Sequence, residues 1–345
     1  MKSIWYLGGN ANSYDGKLSY YGIKQVLSAR SGEPLEFTYV DGQSTYLSPT
    51  VIGQINNSAD LLLVGNGGFI KDEKELGLKY NINAENANSI NVPIVGLSIE
   101  DHNKFDGEHW DMLEQFITSA NLFSVATSDT LDDIGKHCDS ANSVVVVPDA
   151  AIFINPYTFT HDIFNTDKLK VGVSWGNGEL DVLGGLAKSL VDFYNVKLYL
   201  IEQEYPTEAS ATNKNNVFAQ LDTDRYALVH NDLYNELYPP YDSSAPLLVD
   251  VCRQMDLIIG SSAQLAMMAI GQEVPFLGVG SDKYLQNLLS DTGLGFYAPL
   301  VQKDIMKEFE VLYGNMDSCS AIMAAAKAQF QYANELFVDN ILSLI

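Results

Sequence analysis

Positive charge is what this sequence has least of. Among 345 residues, 20 lysines and arginines face 44 aspartates and glutamates, for a formal net charge of -24. A surface of that sign repels DNA, RNA and anionic lipid, so nucleic acid is excluded as an expected partner, and the acidity reads as a solvated surface. Arginine is scarcest, with Arg30, Arg225 and Arg253 alone. Because arginine is the usual bidentate clamp for phosphate and carboxylate, an anion site in this chain has to rely mainly on other donors. Cysteine is nearly absent too: Cys138, Cys252 and Cys319 are widely spaced and odd in number, which speaks against a disulfide framework and for a reduced cytoplasm. Neither HExxH nor a paired Cys/His spacing occurs, and no metal or cofactor is expected. No apolar run approaches the ~18 residues of a membrane span, and the start, MKSIWYLGGNANSYDG, lacks the order of a secretory signal. A cytoplasmic location is the expectation.

What is present is apolar and glycine-punctuated. Hydrophobic residues make up 46% of the chain and aromatics 11%, enough to bury a full core. Short runs such as SIWYLGG, LEFTYVDG, ADLLLVGNGG, VPIVGLS, ANLFSVAT and SVVVVPDAAI are nearly unbroken and rich in β-branched residues, as strands buried on both faces should be. Each leads through a turn into a helix-like segment. After a linker, INPYTFTHDIFNTDK, the pattern restarts at LKVGVSWGNG and continues through VKLYLIEQE, YALVHND, MDLIIGSS and VPFLGVG. The expected fold is α/β: two Rossmann-like domains with parallel sheets facing a cleft, a glycosyltransferase-B-like architecture. The expected divisions are 1–157, 168–303, and a helical tail, 304–345, packing back toward the first domain.

Small-residue turns at strand ends supply the candidate site, because open α/β sheets bind ligands beyond the carboxyl ends of their strands. In YLGGNANSYDG, Asn12 and Asp15 can orient a hydroxyl or cap the next helix. In LLLVGNGGFI, Gly65, Gly67 and Gly68 can form a nest of backbone N–H groups, although the spacing is not GxGxxG. In VGVSWGNGEL, Trp175 and Asn177 can wall a sugar or base pocket. In GSSAQLAMMAIGQEVPFLGVGSDK, Ser261, Ser262 and Gln264 open a helix whose N-terminus attracts anions, while Met267 and Met268 read as core. His230 ends one predicted strand and Glu100, Asp101 and His102 end another, and either group could supply a general base.

These pieces, in order, resemble the polysaccharide pyruvyl transferase family. The resemblance rests on NSYD (12–15), ADLLLVGNGGFI, SVATSDTLDDIG, VVPDAAIF and DLIIGSSAQLAMMAIGQEVPFLGVGSDK, spread from Asn12 to Lys283. It implies a transferase of cell-surface polysaccharide biosynthesis that moves pyruvate from phosphoenolpyruvate to a glycan acceptor. In the family's Arg-Leu-His motif the Pro stands eleven residues after the His, and here Pro275 stands eleven after Gln264, with Lys283 beyond. Ser262 then occupies the arginine position and Gln264 the histidine position, and Ala126 falls near a second family arginine. Serine supplies no charge, and glutamine cannot donate and recover a proton near neutral pH.

The candidate catalytic residues are therefore Asp15, Gln264 and His230. The candidate substrate-binding residues are Asn12, Gly65, Gly67, Gly68, Trp175, Asn177, Ser261, Ser262 and Lys283. Three functions stay open: pyruvyl transfer, glycosyl transfer from a nucleotide sugar, and glycan or partner binding without catalysis, with oligomerisation open in each.

Overall fold

The computed structural model describes residues 1–8, 14–41, 47–65, 82, 84–100, 107–158, 160–174, 180–201, 225–228, 244–280, 282–295 and 305–345, with the backbone alone at 14–16, 41, 84, 180–184 and 244. The chain divides into two compact units, Met1–Phe153 with Ala328–Ile345, and Ile154–Lys327.

The first unit is built on a six-stranded sheet in the order β2-β1-β3-β4-β5-β6, every pair parallel. Its strands are β1 (Lys2–Gly8), β2 (Leu35–Asp41), β3 (Leu61–Gly65), β4 (Ile94–Ile99), β5 (Leu122–Val125) and β6 (Val144–Val146). Its helices include α1 (Tyr14–Arg30), α2 (Pro49–Ser58), α3 (Ala84–Asn88), α4 (Gly107–Ser119) and α5 (Ser128–His137). The LLLVG run of β3 is buried at every position, as a strand covered on both faces requires. Alternate residues feed two cores. Leu62 and Val64 join Ile52, Ile55, Leu113 and Phe116 under α2 and α4, whereas Leu61 and Leu63 join Ile23, Leu27, Phe337, Val338 and Ile341.

Helix α1 lies hard against the turn that follows β6. A methyl group at Gly22 would collide with the backbone of Ala150 and come within 2.7 Å of the Ala151 nitrogen. Alanine should gain about 1 kcal/mol of helix propensity over glycine and lose more than that to a clash with backbone, which cannot rotate away. Gly22→Ala is expected to lower unfolding free energy by about 2 kcal/mol net, read from guanidinium denaturation.

The second unit carries a five-stranded parallel sheet in the order β11-β10-β7-β8-β9. Its elements are β7 (Leu169–Ser174), α6 (Leu180–Phe193), β8 (Val196–Leu200), β9 (Tyr226–Leu228), α7 (Ser244–Arg253), β10 (Leu257–Gly260), α8 (Ala263–Gln272), β11 (Phe276–Gly278), α9 (Lys283–Asp291) and α10 (Ile305–Tyr313). The last helix, α11 (Met316–Leu342), contributes to both units, which divide at Lys327 and Ala328. Helix α8 is buried along nearly its whole length, with Met267 and Met268 at 0% exposure, so both are core residues. Among the described residues no helix is long and apolar enough to cross a membrane.

Candidate functional site

In a doubly wound sheet, the crevice opens where consecutive crossovers leave in opposite directions. In the second unit that point falls between β7 and β10: the chain moves outward from β7 to β8 and β9, then returns to lay β10 on the other side of β7. The two strand ends meet in register at Ser174 and Gly260. A Cβ at Gly260 would stand 2.8 Å from Leu265 Cδ2, so the glycine lets α8 begin immediately against the strand end.

The groups at this point are polar and uncharged. Ser262 is the N-cap of α8, its hydroxyl accepting from the Leu265 N–H at 3.4 Å and donating to Gln264 Oε1 at 3.1 Å. Its proton is thus spent inside the protein, on holding the Gln264 carbonyl oxygen. Gln264 is 9% exposed, and no described residue engages its Nε2. Ser174, 5% exposed, likewise has a hydroxyl that no described residue engages. The N–H groups of Ala263 and Gln264, in the first turn of α8, have no intrahelical acceptor. Four donor groups therefore collect at the switch point, reinforced by the positive end of the helix dipole. Ser261 is half-buried between strand and helix. Lys283 is exposed and opens α9, which Asp282 caps by accepting from the Leu285 N–H at 2.6 Å.

The arginines all have structural work elsewhere. Arg30 makes a bidentate pair with Asp339 at 2.8 and 2.7 Å and reaches Glu335 at 3.3 Å. Arg225 donates to the carbonyls of Val191, Tyr194 and Val196 at 3.0 Å each. Arg253 binds Asp250 on its own helix at 2.8 and 2.5 Å. None is left to clamp an anion. Ala126, near the position of a second family arginine, is itself buried at 2% exposure.

In the first unit the corresponding switch point lies between β1 and β3, at Gly8 and Gly65. A Cβ at Gly65 would approach the Leu97 carbonyl oxygen and the Tyr6 hydroxyl at 3.1 Å, so this strand end is closely packed. Asp15 lies in the first turn of α1. The side chain of Asp15, and Asn12, Gly67, Gly68, Asp101, His102, Trp175, Asn177 and His230, lie outside the described residues. Glu100 is enclosed at 1% exposure. The described histidines are structural: His137 stacks on Trp110 with ring centroids 4.5 Å apart, His161 caps a short 3-10 turn, and His109 is buried.

Sequence reasoning did not single out Asp149, in the VVPDAAIF stretch. It is fully buried, accepting from the Ser19 hydroxyl and, at 2.8 Å, from the Ala151 N–H. Burial raises its pKa above the ordinary carboxylate value, and the two hydrogen bonds oppose that rise without cancelling it. A raised folded-state pKa means that the folded chain holds the proton more tightly than the unfolded one. Its contribution is present in full below the ordinary carboxylate range and is lost as pH rises through the folded value. Asp149→Asn should therefore flatten stability against pH above about pH 4, with the variant gaining on the parent toward neutrality in chemical denaturation. The thiols are equally sheltered. All three cysteines are free and buried, and burial pushes the Cys138 thiol up to about 12, which excludes it as a ready nucleophile at neutral pH. Among the described residues no cluster of His, Cys, Asp and Glu could hold a metal ion.

Solved structures share the fold of this chain. The S. aureus MnaA–UDP co-structure matches at TM-score 0.65 and 14% identity, covering 100% of this chain and 98% of that one. UDP-GlcNAc 2-epimerase from Neisseria meningitidis bound to UDP-GlcNAc matches at TM-score 0.64 and 9% identity, covering 99% and 100%. E. coli ADP-heptose lps heptosyltransferase II matches at TM-score 0.50 and 11% identity, covering 92% and 100%. The class is thus defined: this is a protein of the glycosyltransferase-B fold, with two parallel-sheet α/β domains. No protein-family model matches the sequence, and no curated protein does.

Proposed function

We propose that the chain is an enzyme acting on nucleotide sugars, with the nucleoside diphosphate seated at the β7/β10 switch point of the second unit and a sugar as the group handled. The observation that carries this reading is the set of neutral donors there: the Ser174 hydroxyl, the Gln264 amide and the first N–H groups of α8. A diphosphate spreads its charge over several oxygens and is well served by helix-terminal N–H groups. Phosphoenolpyruvate chemistry asks for a cation beside the carboxylate and phosphate and for a group that cycles a proton. Ser262 and Gln264 supply neither. Solved neighbours of the fold that carry UDP or UDP-GlcNAc support the same choice of ligand. Glycosyl transfer in the assembly of a cell-surface polysaccharide is the reaction we assign, with a glycan hydroxyl as acceptor.

Pyruvyl transfer is the second reading. It is favoured by the ordered motifs and by the register that places Pro275 eleven residues after Gln264, with Lys283 beyond on an exposed helix end. A thermal-shift panel separates the two. UDP, UDP-GlcNAc or another nucleotide sugar at millimolar concentration should raise the melting temperature by a few degrees, as ligand linkage requires, and phosphoenolpyruvate should not. A shift with phosphoenolpyruvate alone, followed by phosphate release in the presence of oligosaccharides, would reverse the assignment.

A further inference from the structure

Among the described residues, the charges set around α8 come in pairs of opposite sign. Helix α7 packs on α8 and carries Arg253 bound to Asp250 at 2.8 and 2.5 Å, with Asp250 itself fully buried. Helix α9 packs on α8 as well, the Tyr284 hydroxyl donating to the Met267 sulfur at 3.9 Å, and it opens with the cap Asp282 followed directly by Lys283. At the carboxyl end of α8, its cap Glu273 meets Lys327 at 3.0 Å. Each of these cations stands beside an acid, so the paired fields largely cancel a short distance away.

Local cancellation leaves the β7/β10 switch point in the field of the whole chain, and that field is negative, with 44 acidic residues against 20 basic ones. Excess charge of this size produces potentials of several kT over a protein surface, and they decay over the Debye length, about 30 Å at 0.01 M salt and about 3 Å at 1 M. The groups that meet a ligand here act at contact range: the Ser174 hydroxyl, the Gln264 amide and the first N–H groups of α8. Salt screens the dipole of α8 too, but that dipole amounts to about half an elementary charge. Against it stands a net charge of -24. Screening therefore removes more repulsion than attraction. Where a lysine or arginine clamps a phosphate, salt weakens binding, because counterions released by the contact are less favoured in a concentrated solution. At this site the sign reverses.

We propose that nucleoside diphosphate binding at the β7/β10 switch point is regulated by ionic strength. Diffuse cations from solution offset the repulsion that the neutral donors leave standing, and affinity rises with salt. This rests on the reading of the chain as an enzyme acting on nucleotide sugars. Forming the complex takes up cations, where an arginine clamp would release them.

The test is isothermal titration of the full chain with UDP, UMP and uridine over KCl concentrations from about 0.01 to about 0.5 M. UDP should bind about 10-fold tighter or more at the upper end, UMP should gain less, and uncharged uridine should change by less than about 2-fold. Tetramethylammonium chloride, whose cation is too bulky to coordinate phosphate closely, should reproduce the gain, because screening is indifferent to the identity of the ion. Ser261→Arg sets a cation at the half-buried residue before the cap of α8. It should bind UDP about 10-fold tighter than the parent at low salt and lose most of the salt dependence. If that variant does not fold, the parent titrations decide alone. UDP affinity that falls or stays level as salt rises overturns the proposal and leaves a nucleotide site in place. An equal gain for uridine, or a gain with KCl that tetramethylammonium fails to reproduce, overturns it as well. A parent chain that binds neither UDP nor UDP-GlcNAc at any salt concentration overturns the proposed function, and this inference with it.

Discussion

Phe337→Ala is expected to cost about 3 to 4 kcal/mol of unfolding free energy, the range for emptying a well-packed aromatic site. Phe337, Val338 and Ile341 come from the last turns of α11, far along the chain from the strands they cover. They are 3%, 0% and 0% exposed and share one core with Ile4, Tyr6, Ile23 and Leu27. The same segment is tied down by polar contacts. Asn334 Nδ2 donates to the Pro148 carbonyl at 2.8 Å, and Arg30 binds Asp339 and Glu335 from the end of α1. These contacts fix where the helix lies, so the surroundings cannot close readily over the cavity, and the loss should sit toward the cavity-dominated end of the range. Guanidinium denaturation followed by tryptophan fluorescence, with Trp5 and Trp110 both in the first unit, reads the effect there. A loss below about 1 kcal/mol would mean that residues 328–345 are not part of that core.

The strands were legible in the sequence because burial on both faces leaves a composition that few other settings produce: LLLVG, LIIG and VPFLGVG are apolar runs ended by glycine. The turn from Gly260 into α8 was legible for a related reason, since a small-residue step between an apolar run and an Ala/Met-rich segment has few other solutions. What those residues do at the turn was less visible. Ser262 reads from the sequence as a ligand donor, yet its hydroxyl is committed to capping Leu265 and to holding Gln264, and it is the Gln264 amide nitrogen that no described residue engages. A bulge in β4 left no mark at all: Ser98 sits there in the left-handed region, for which serine has no signature, and the extra residue is defined only by the partner strand. Asp149 was hidden likewise, because its side-chain partner Ser19 lies 130 positions away. The scarcity of arginine was plain from composition, but only the fold shows that each one is engaged in holding helices and strand ends. Nor does any residue mark where α11 passes from one unit to the other, since a helix carries no local signal of which core its next turn will meet.

Gln264→Glu should weaken UDP binding by about 100-fold or more while leaving the chain folded. The substitution preserves shape, and the Ser262 hydroxyl can donate to a carboxylate oxygen as it does to Oε1. What changes is the other end of the group: Nε2, a donor that no described residue engages, becomes a second acceptor oxygen carrying negative charge. Two unit charges about 4 Å apart interact by about 4 kcal/mol at an effective dielectric of 20, so even a partly screened diphosphate should lose the equivalent of about two decades in affinity. No arginine stands ready to offset the new charge, since all three are held in structural pairs. Uridine, which lacks the phosphates, is the control. Its weaker binding should be nearly unchanged by the substitution, because the repulsion acts only on the anion. Isothermal titration with UDP and uridine against both proteins measures the difference directly. Equal loss for the two ligands would point to a disturbed fold, and no loss for either would place the diphosphate away from α8 and remove the central support for a nucleotide-sugar site at the β7/β10 switch point.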